Sequence, residues 1–230
     1  MSTLFIVGTP IGNMEDITLR ALRVLRDVDL VLCEDTRVTR KLLSRHGITT
    51  PTLSYHQHST ISRSDKVLEL LEAGKSLALV SDAGMPSISD PGAALISYVR
   101  GRFGDDVKID VVPGPSALTS ALALSGLPFD DFVFYGFPPH KKGRQIFMNE
   151  VLATPRLAVL YESTHRIERL LGEILARAPE RKIVIAKELT KIHEEVLEGT
   201  PIALLETLSE HPEKKKGEFV VMITPTGAAR

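Results

Sequence analysis

The chain has 230 residues, 43% of them hydrophobic and 25% charged, enough for one large domain or two small ones and too apolar for disorder along its length. A formal net charge of −1 carries no global signature of a polyanion partner, so a nucleic-acid surface would have to be a local patch. The single cysteine, Cys33, excludes an intrachain disulfide and a cysteine-based metal cluster, and no run approaches the ~20 apolar residues of a membrane helix. A cytoplasmic chain without membrane or metal is expected.

In chain order, aliphatic runs at 4–8, 30–33, 77–81 and 109–112 are too short for helices and predict strands, with Cys33 packed inside the second. Leu19, Leu22 and Leu25 recur at helical spacing, as do Val67, Leu68 and Leu71, and Gly74 follows the second set as a helix C-cap. Each predicted strand runs into a polar or glycine-containing turn: Thr9-Pro10-Ile11-Gly12-Asn13, Glu34-Asp35-Thr36, Ser81-Asp82-Ala83-Gly84-Met85-Pro86 and Pro113-Gly114-Pro115-Ser116. Doubly wound sheets bind ligands outside the carboxyl ends of their strands, so these four turns mark the expected site.

Two prolines around Gly114 stop regular structure on both sides, which predicts domains 1–113 and 116–230. In the second, strands are expected at 132–135, 157–161, 183–186, 196–198 and 219–223. Helices are expected near 144–152, 166–177 and 202–208, and 210–217 reads as a charged loop. The alternation predicts an α/β protein with mostly parallel strands.

There is no G-x-G-x-x-G after the first strand and no G-x-x-x-x-G-K-[ST], which argues against a dinucleotide or P-loop site. Pro10 also removes one backbone donor from a would-be anion cradle. The segment 81–92 is the most informative: a buried strand enters a turn dense in Gly and Pro, and a helix starts near Pro91. There Gly84 permits close approach and Asp82 can accept from an amine or a ribose hydroxyl; a purely structural β–α turn is an equal reading. Ser116 is placed to cap the helix after Pro113-Gly114-Pro115.

Charge is segregated. Between Asp35 and Asp65 no acidic residue occurs, while Arg37, Arg40, Lys41, Arg45 and Arg63 lie there with His46, His56 and His58. A second basic cluster is His140-Lys141-Lys142-Gly143-Arg144. Singly, each arginine reads as a solvated helix face; together they predict a phosphate-binding surface, with Tyr55 as the main stacking candidate. His56-Gln57-His58 lacks a third ligand nearby, so no metal is expected.

The segments Val7-Gly8-Thr9-Pro10-Ile11-Gly12-Asn13, Val80-Ser81-Asp82-Ala83-Gly84-Met85-Pro86 and Val112-Pro113-Gly114-Pro115-Ser116-Ala117 resemble the tetrapyrrole methylase family, the class III methyltransferases. Gly12-Asn13-Met14-Glu15-Asp16-Ile17-Thr18, Cys33-Glu34-Asp35-Thr36-Arg37, Ser54-Tyr55-His56-Gln57-His58 and Lys141-Lys142-Gly143-Arg144 resemble a branch of it that acts on ribosomal RNA. The likeness covers essentially the whole chain. It implies two α/β domains with S-adenosylmethionine in the cleft between them, commonly a homodimer, and methylation of a cytidine 2′-hydroxyl in the decoding region of 16S rRNA in the small ribosomal subunit. Many members of that branch carry a further C-terminal extension, whereas this chain stops soon after its final predicted strand; the difference bears on docking to the ribosome and not on the cofactor site.

Carried over by resemblance, the cofactor contacts fall at Pro10, Asp82, Gly84, Met85, Ser116 and Ala117, with Tyr161 and the Ala186-Lys187-Glu188 neighbourhood from the second domain. The RNA contacts expected are Arg37, Arg40, Lys41, Arg45, Lys141, Lys142 and Arg144. Methyl transfer to a ribose hydroxyl needs a proton acceptor, and Glu34 and Asp35, at the end of the second strand, are the candidates. Arg37 pairs with Asp35 or holds a phosphate, and a structural ion-pair network remains an equal reading of all three. Two rival functions stay open: a methylase of a tetrapyrrole precursor, and a non-catalytic RNA-binding module on the same fold.

Overall fold

A computed structural model describes residues 2–55, 61–90 and 92–225. His56-Gln57-His58 and Pro91 lie outside the described residues. The chain divides into two compact units, Met1–Ser116 and Ala117–Arg230.

The first unit runs β1 (Thr3–Val7), α1 (Leu19–Asp27), β2 (Leu30–Cys33), α2 (Thr36–Arg45), β3 (Thr52–Ser54), α3 (Ile61–Glu72), β4 (Leu77–Val80), α4 (Gly92–Phe103) and β5 (Lys108–Val112). The strands form one sheet in the order β3-β2-β4-β1-β5, and every pairing is parallel. Side chains alternate between its faces. Val31 and Cys33 face a cluster with Ala21, Val24 and Leu25 of α1 and Leu42 and Leu43 of α2. Leu32, Leu4 and Ile6 face the opposite cluster, with Val67, Leu68 and Leu71 of α3 and Leu95 and Val99 of α4. Because both faces are covered there, the inner strands β2 and β4 are continuous aliphatic runs, whereas the edge strands β3 and β5 carry polar residues. At the end of α3, Gly74 has φ +81°, and the N–H groups of Gly74 and Lys75 donate to Leu71 and Leu70. That is the left-handed helix stop its sequence position predicts.

Within this sheet β1 and β4 are neighbours, yet α1 leaves β1 towards one face and α4 leaves β4 towards the other. Such a reversal of winding opens a crevice at the strands' carboxyl ends. The turns after β1 and β4 meet there.

The second unit runs α5 (Ala117–Leu124), β6 (Phe132–Gly136), α6 (Arg144–Ala153), β7 (Leu157–Ser163), α7 (Ile167–Leu175), β8 (Ile183–Lys187), β9 (Glu195–Gly199), α8 (Pro201–Glu210) and β10 (Glu218–Ile223). Its sheet has the order β6-β7-β10-β8-β9, and here the expectation of mostly parallel strands is corrected. Only β6 and β7 pair in parallel; β7 with β10, β10 with β8, and β8 with β9 are antiparallel. The physical reason is that β10 inserts between β7 and β8, a long-range pairing that local pattern does not encode. Leu160, Ile185 and Val221 face the apolar sides of α6, α7 and α8. The charged segment before β10 carries a short 3-10 turn, Pro212–Lys215.

Candidate functional site

The crevice between β1 and β4 is closed by backbone. Thr9 and Gly84 exchange two hydrogen bonds, Thr9 N–H to Gly84 O at 3.0 Å and Gly84 N–H to Thr9 O at 3.1 Å. The buried Thr9 hydroxyl donates to Ser81 O at 3.0 Å. On the other side of β1, Gly8 N–H donates to Val112 O at 3.0 Å, and Gly8 crosses Gly114 so closely that a Cβ on Gly8 would stand 2.8 Å from the Gly114 Cα and 2.7 Å from the Met85 sulfur. Two glycines are required at that crossing, and Gly84 is required where the backbone turns left-handed at φ +84°. Pro10, Met85 and Ser116 are half-buried around this knot.

Three carboxylates gather next to it. Asp82 is not idle: its Oδ1 accepts the Asp35 N–H at 3.1 Å, tying the turn after β4 to the turn after β2. Asp90 accepts from the N–H groups of Ser87 and Gly92. Ser87 and Ser89 are left-handed, with φ of 73° and 65°, a strain of about 1–3 kcal/mol each that non-glycine residues hold only where surroundings enforce it. The Ser87 hydroxyl and Asp90 Oδ2 are buried with no hydrogen-bond partner. Glu34 is half-buried; burial pushes its carboxyl above the ordinary glutamate range, and the charges of Asp90 and Asp82 push the same way.

Its neighbour Asp35 is set up differently. Asp35 caps α2, accepting the Arg37 N–H at 2.8 Å, and the Arg37 guanidinium grips the same carboxylate, Nη2 to Oδ2 at 2.6 Å. That side-chain hydrogen bond is the main reason its carboxyl is lowered to about 2. Glu34 is therefore the stronger proton acceptor of the two.

The chemistry of these turns suits a small cationic ligand. Residues 8–13, 34–36, 81–90 and 113–116 contain no lysine or arginine, so nothing in them neutralises a diphosphate. They offer carboxylates instead, matched to an ammonium, a sulfonium or ribose hydroxyls. Orphaned buried oxygens and strained serines in the same loop are what a ligand-holding segment shows. The residues present thus fit S-adenosylmethionine.

In the second unit, Tyr161 sits on β7 in edge contact with Phe134 and Phe137, at 4.8 and 5.4 Å between centroids. Burial raises its phenol, with the Leu118 backbone opposing. Ala186 is buried mid-strand between Val220 and Val196, so it can offer a ligand little beyond its methyl. Ala117 begins α5. A surface hollow lined by Asp29, Leu30, Thr52, Lys66 and Leu77 lies at the amino ends of β2, β3 and β4, the wrong end for this site.

Of the basic residues, Arg37, Arg40, Lys41 and Arg45 are all exposed on α2, whose only charged residues are these four. Lys141 and Lys142 are exposed as well. Arg144 is a correction: it is 2% exposed, and its guanidinium is taken up by Glu173 at 2.8 Å, Glu162 at 3.9 Å and Pro139 O at 3.0 Å, so it cannot meet a phosphate. The spacing Lys-Lys-Gly-Arg gave no sign of this, because its partners lie on β7 and α7. Arg169, half-exposed beside that loop, was missed for the same reason.

Among the described residues no group of three or more His, Cys, Asp or Glu is placed to hold a metal, and no helix is long and apolar enough to cross a membrane.

Residues 3–204 match the family described as Tetrapyrrole (Corrin/Porphyrin) Methylases. The chain is 46% identical over 226 residues to a Thermotoga maritima protein named ribosomal RNA small subunit methyltransferase I, covering 97% of this chain and 99% of that protein. A Vibrio cholerae protein of the same name is 45% identical over 96% of this chain and 76% of its own length. Among solved structures, diphthine synthase superposes with a TM-score of 0.74 at 17% identity, over 97% of this chain and 90% of the other. The methyltransferase CobJ gives 0.72 at 18% identity, over 100% and 97%. At these identities the two structures speak for the fold.

Proposed function

Because the chain belongs to the tetrapyrrole (corrin/porphyrin) methylase family, we propose that it moves a methyl group from S-adenosylmethionine to the 2′-hydroxyl of a cytidine in the decoding region of 16S rRNA. It is an S-adenosylmethionine-dependent methyltransferase. The RNA acceptor rests on the names its relatives carry and on the four exposed cations of α2. The observation that carries the cofactor side is the set of turns after β1, β2, β4 and β5, which bear carboxylates and, over residues 8–13, 34–36, 81–90 and 113–116, no lysine or arginine.

The bound cofactor supplies an electrophilic methyl on a sulfonium, so the protein's task is alignment and proton removal. In this reading Pro10, Asp82, Gly84, Met85 and Ser116 of the first unit are the cofactor contacts that the described turns support. Asp82 has one oxygen committed to the Asp35 N–H, which leaves Oδ2 to accept from the ligand. Glu34 takes the ribose proton as the oxygen attacks; its raised affinity for protons and, among the described residues, its lack of an ion pair suit it to that role. Asp35 positions Arg37 and the start of α2, and Arg37, Arg40, Lys41, Arg45, Lys141 and Lys142 meet phosphates. A homodimer working in the cytoplasm belongs to the same reading.

Incubation with methyl-labelled S-adenosylmethionine and small ribosomal subunits lacking the modification tests it. Label recovered as 2′-O-methylcytidine is expected. Label in uroporphyrinogen instead, or in neither acceptor, overturns the RNA reading in favour of a tetrapyrrole methylase or a binding module.

A further inference from the structure

The second unit holds a buried ionic assembly that the reaction itself does not use. Glu162, on β7, is 1% exposed and lies 2.8 Å from Arg166 Nε and 3.9 Å from Arg144 Nη2. Glu173, on α7, holds Arg144 Nε at 2.8 Å and Arg169 Nε at 3.0 Å. Each of the three arginines then spends an outer N–H on the loop between β6 and α6, and the three acceptors are consecutive. Arg166 donates to Pro138 O at 3.2 Å, Arg144 to Pro139 O at 3.0 Å and Arg169 to His140 O at 3.1 Å. The Arg166 guanidinium also stands 5.8 Å from the centre of the Phe137 ring. The next two residues in the chain are the exposed Lys141 and Lys142.

Stability alone does not account for this arrangement. Burying carboxylates and guanidinium groups gains little over apolar packing of the same volume, and the Arg144 Nη2 and Glu162 Oε2 atoms are left without a hydrogen bond. What the assembly does achieve is to fasten three successive carbonyls of a surface loop that would otherwise be free to move. A loop ordered in advance spares its cations part of the ordering loss on binding.

We propose that Glu162 is a positioning residue for the RNA substrate: through Arg166 and Arg144 it fixes the 138–139 backbone, and so sets where Lys141 and Lys142 meet phosphate. This rests on the RNA reading above. Glu162 touches neither reactant.

The test is steady-state methylation of small ribosomal subunits by Glu162→Gln, Arg166→Lys and the double variant Lys141→Gln/Lys142→Gln, with Glu162→Gln also placed in the double background. Glu162→Gln is expected to raise KM for the subunit about tenfold, the scale of re-ordering two long side chains, with kcat and S-adenosylmethionine affinity within about twofold of wild type. Arg166→Lys keeps a cation against Glu162 but loses the fork that reaches Pro138, so a smaller rise in KM is expected; it decides the matter if Glu162→Gln fails to fold. The lysine variant should raise KM and flatten the salt dependence by up to about 1.8 in the log–log slope, some 0.9 per phosphate contact. In that background Glu162→Gln should add less than about twofold, because the positioned groups are gone.

An equal KM increase from Glu162→Gln in both backgrounds overturns the proposal, as does a fall in cofactor affinity or a wild-type KM in both Glu162→Gln and Arg166→Lys. If the lysine variant matches wild type while the wild-type enzyme methylates subunits, the positioning role fails and the RNA reading stands. If wild type methylates no subunit, that reading fails and the proposal with it.

Discussion

The two acidic centres of this molecule make opposite use of burial. Around the first crevice, Glu34, Asp82 and Asp90 crowd together without a lysine or arginine among the neighbouring turn residues, and Glu34 is pushed towards holding its proton. In the second unit, Glu162 is more deeply buried, and burial leaves its carboxyl above the ordinary glutamate range as well, although the Ser163 N–H, Arg166 and Arg144 all pull the other way. The contrast shows how to read a buried carboxylate. One that lacks a cation awaits a ligand or a proton, whereas one gripped by guanidinium groups holds shape.

The contrast can be broken by substitution. Glu34→Gln should lower kcat about 100- to 10,000-fold at saturating S-adenosylmethionine, the usual scale for a lost general base, with the fold unchanged by circular dichroism. Glu162→Ala should leave the buried Arg144 and the largely covered Arg166 short of a carboxylate and destabilise the second unit by about 3–5 kcal/mol in urea unfolding. Asp82→Asn keeps an acceptor for the Asp35 N–H while removing the charge, so cofactor affinity measured by calorimetry should drop about tenfold or somewhat more, as for a charge-assisted hydrogen bond. Asp35→Asn should do least, since Asn caps helices as well as Asp and the Arg37 pair is exposed, with Arg37 89% accessible. The sign of its pH effect is fixed: the folded carboxyl is lowered to about 2, so its stabilisation is present above the ordinary carboxylate range and fades as pH falls towards 2. A melting series of wild type against Asp35→Asn should therefore converge in acid.

Strands β1, β2 and β4 were legible because a parallel strand buried on both faces is an almost uninterrupted aliphatic run, and Gly74 was legible as a stop because the left-handed turn demands it. The three residues of β3 were not: Thr52-Leu53-Ser54 forms an edge with one neighbour and has no run to show. The turns that make the crevice could be located in sequence, but not what Asp82 does, since the Asp35 N–H it accepts is 47 residues away. Basic clustering likewise could not separate exposed Lys141 from buried Arg144. That distinction belongs to Glu162 and Glu173, which reach the loop only through tertiary packing.

The central contrast comes down to adjacent carboxylates: among the described residues Glu34 has no ion-pair partner, and Asp35 has Arg37. Single-turnover methyl transfer measured against pH for wild type, Glu34→Gln and Asp35→Asn addresses it directly. The rate for wild type and for Asp35→Asn should fall with acid through one apparent pKa above the ordinary glutamate range, and Glu34→Gln should be slow and flat across that range. A Glu34→Gln enzyme that keeps the wild-type rate and slope, or an Asp35→Asn enzyme that loses them, would contradict the account.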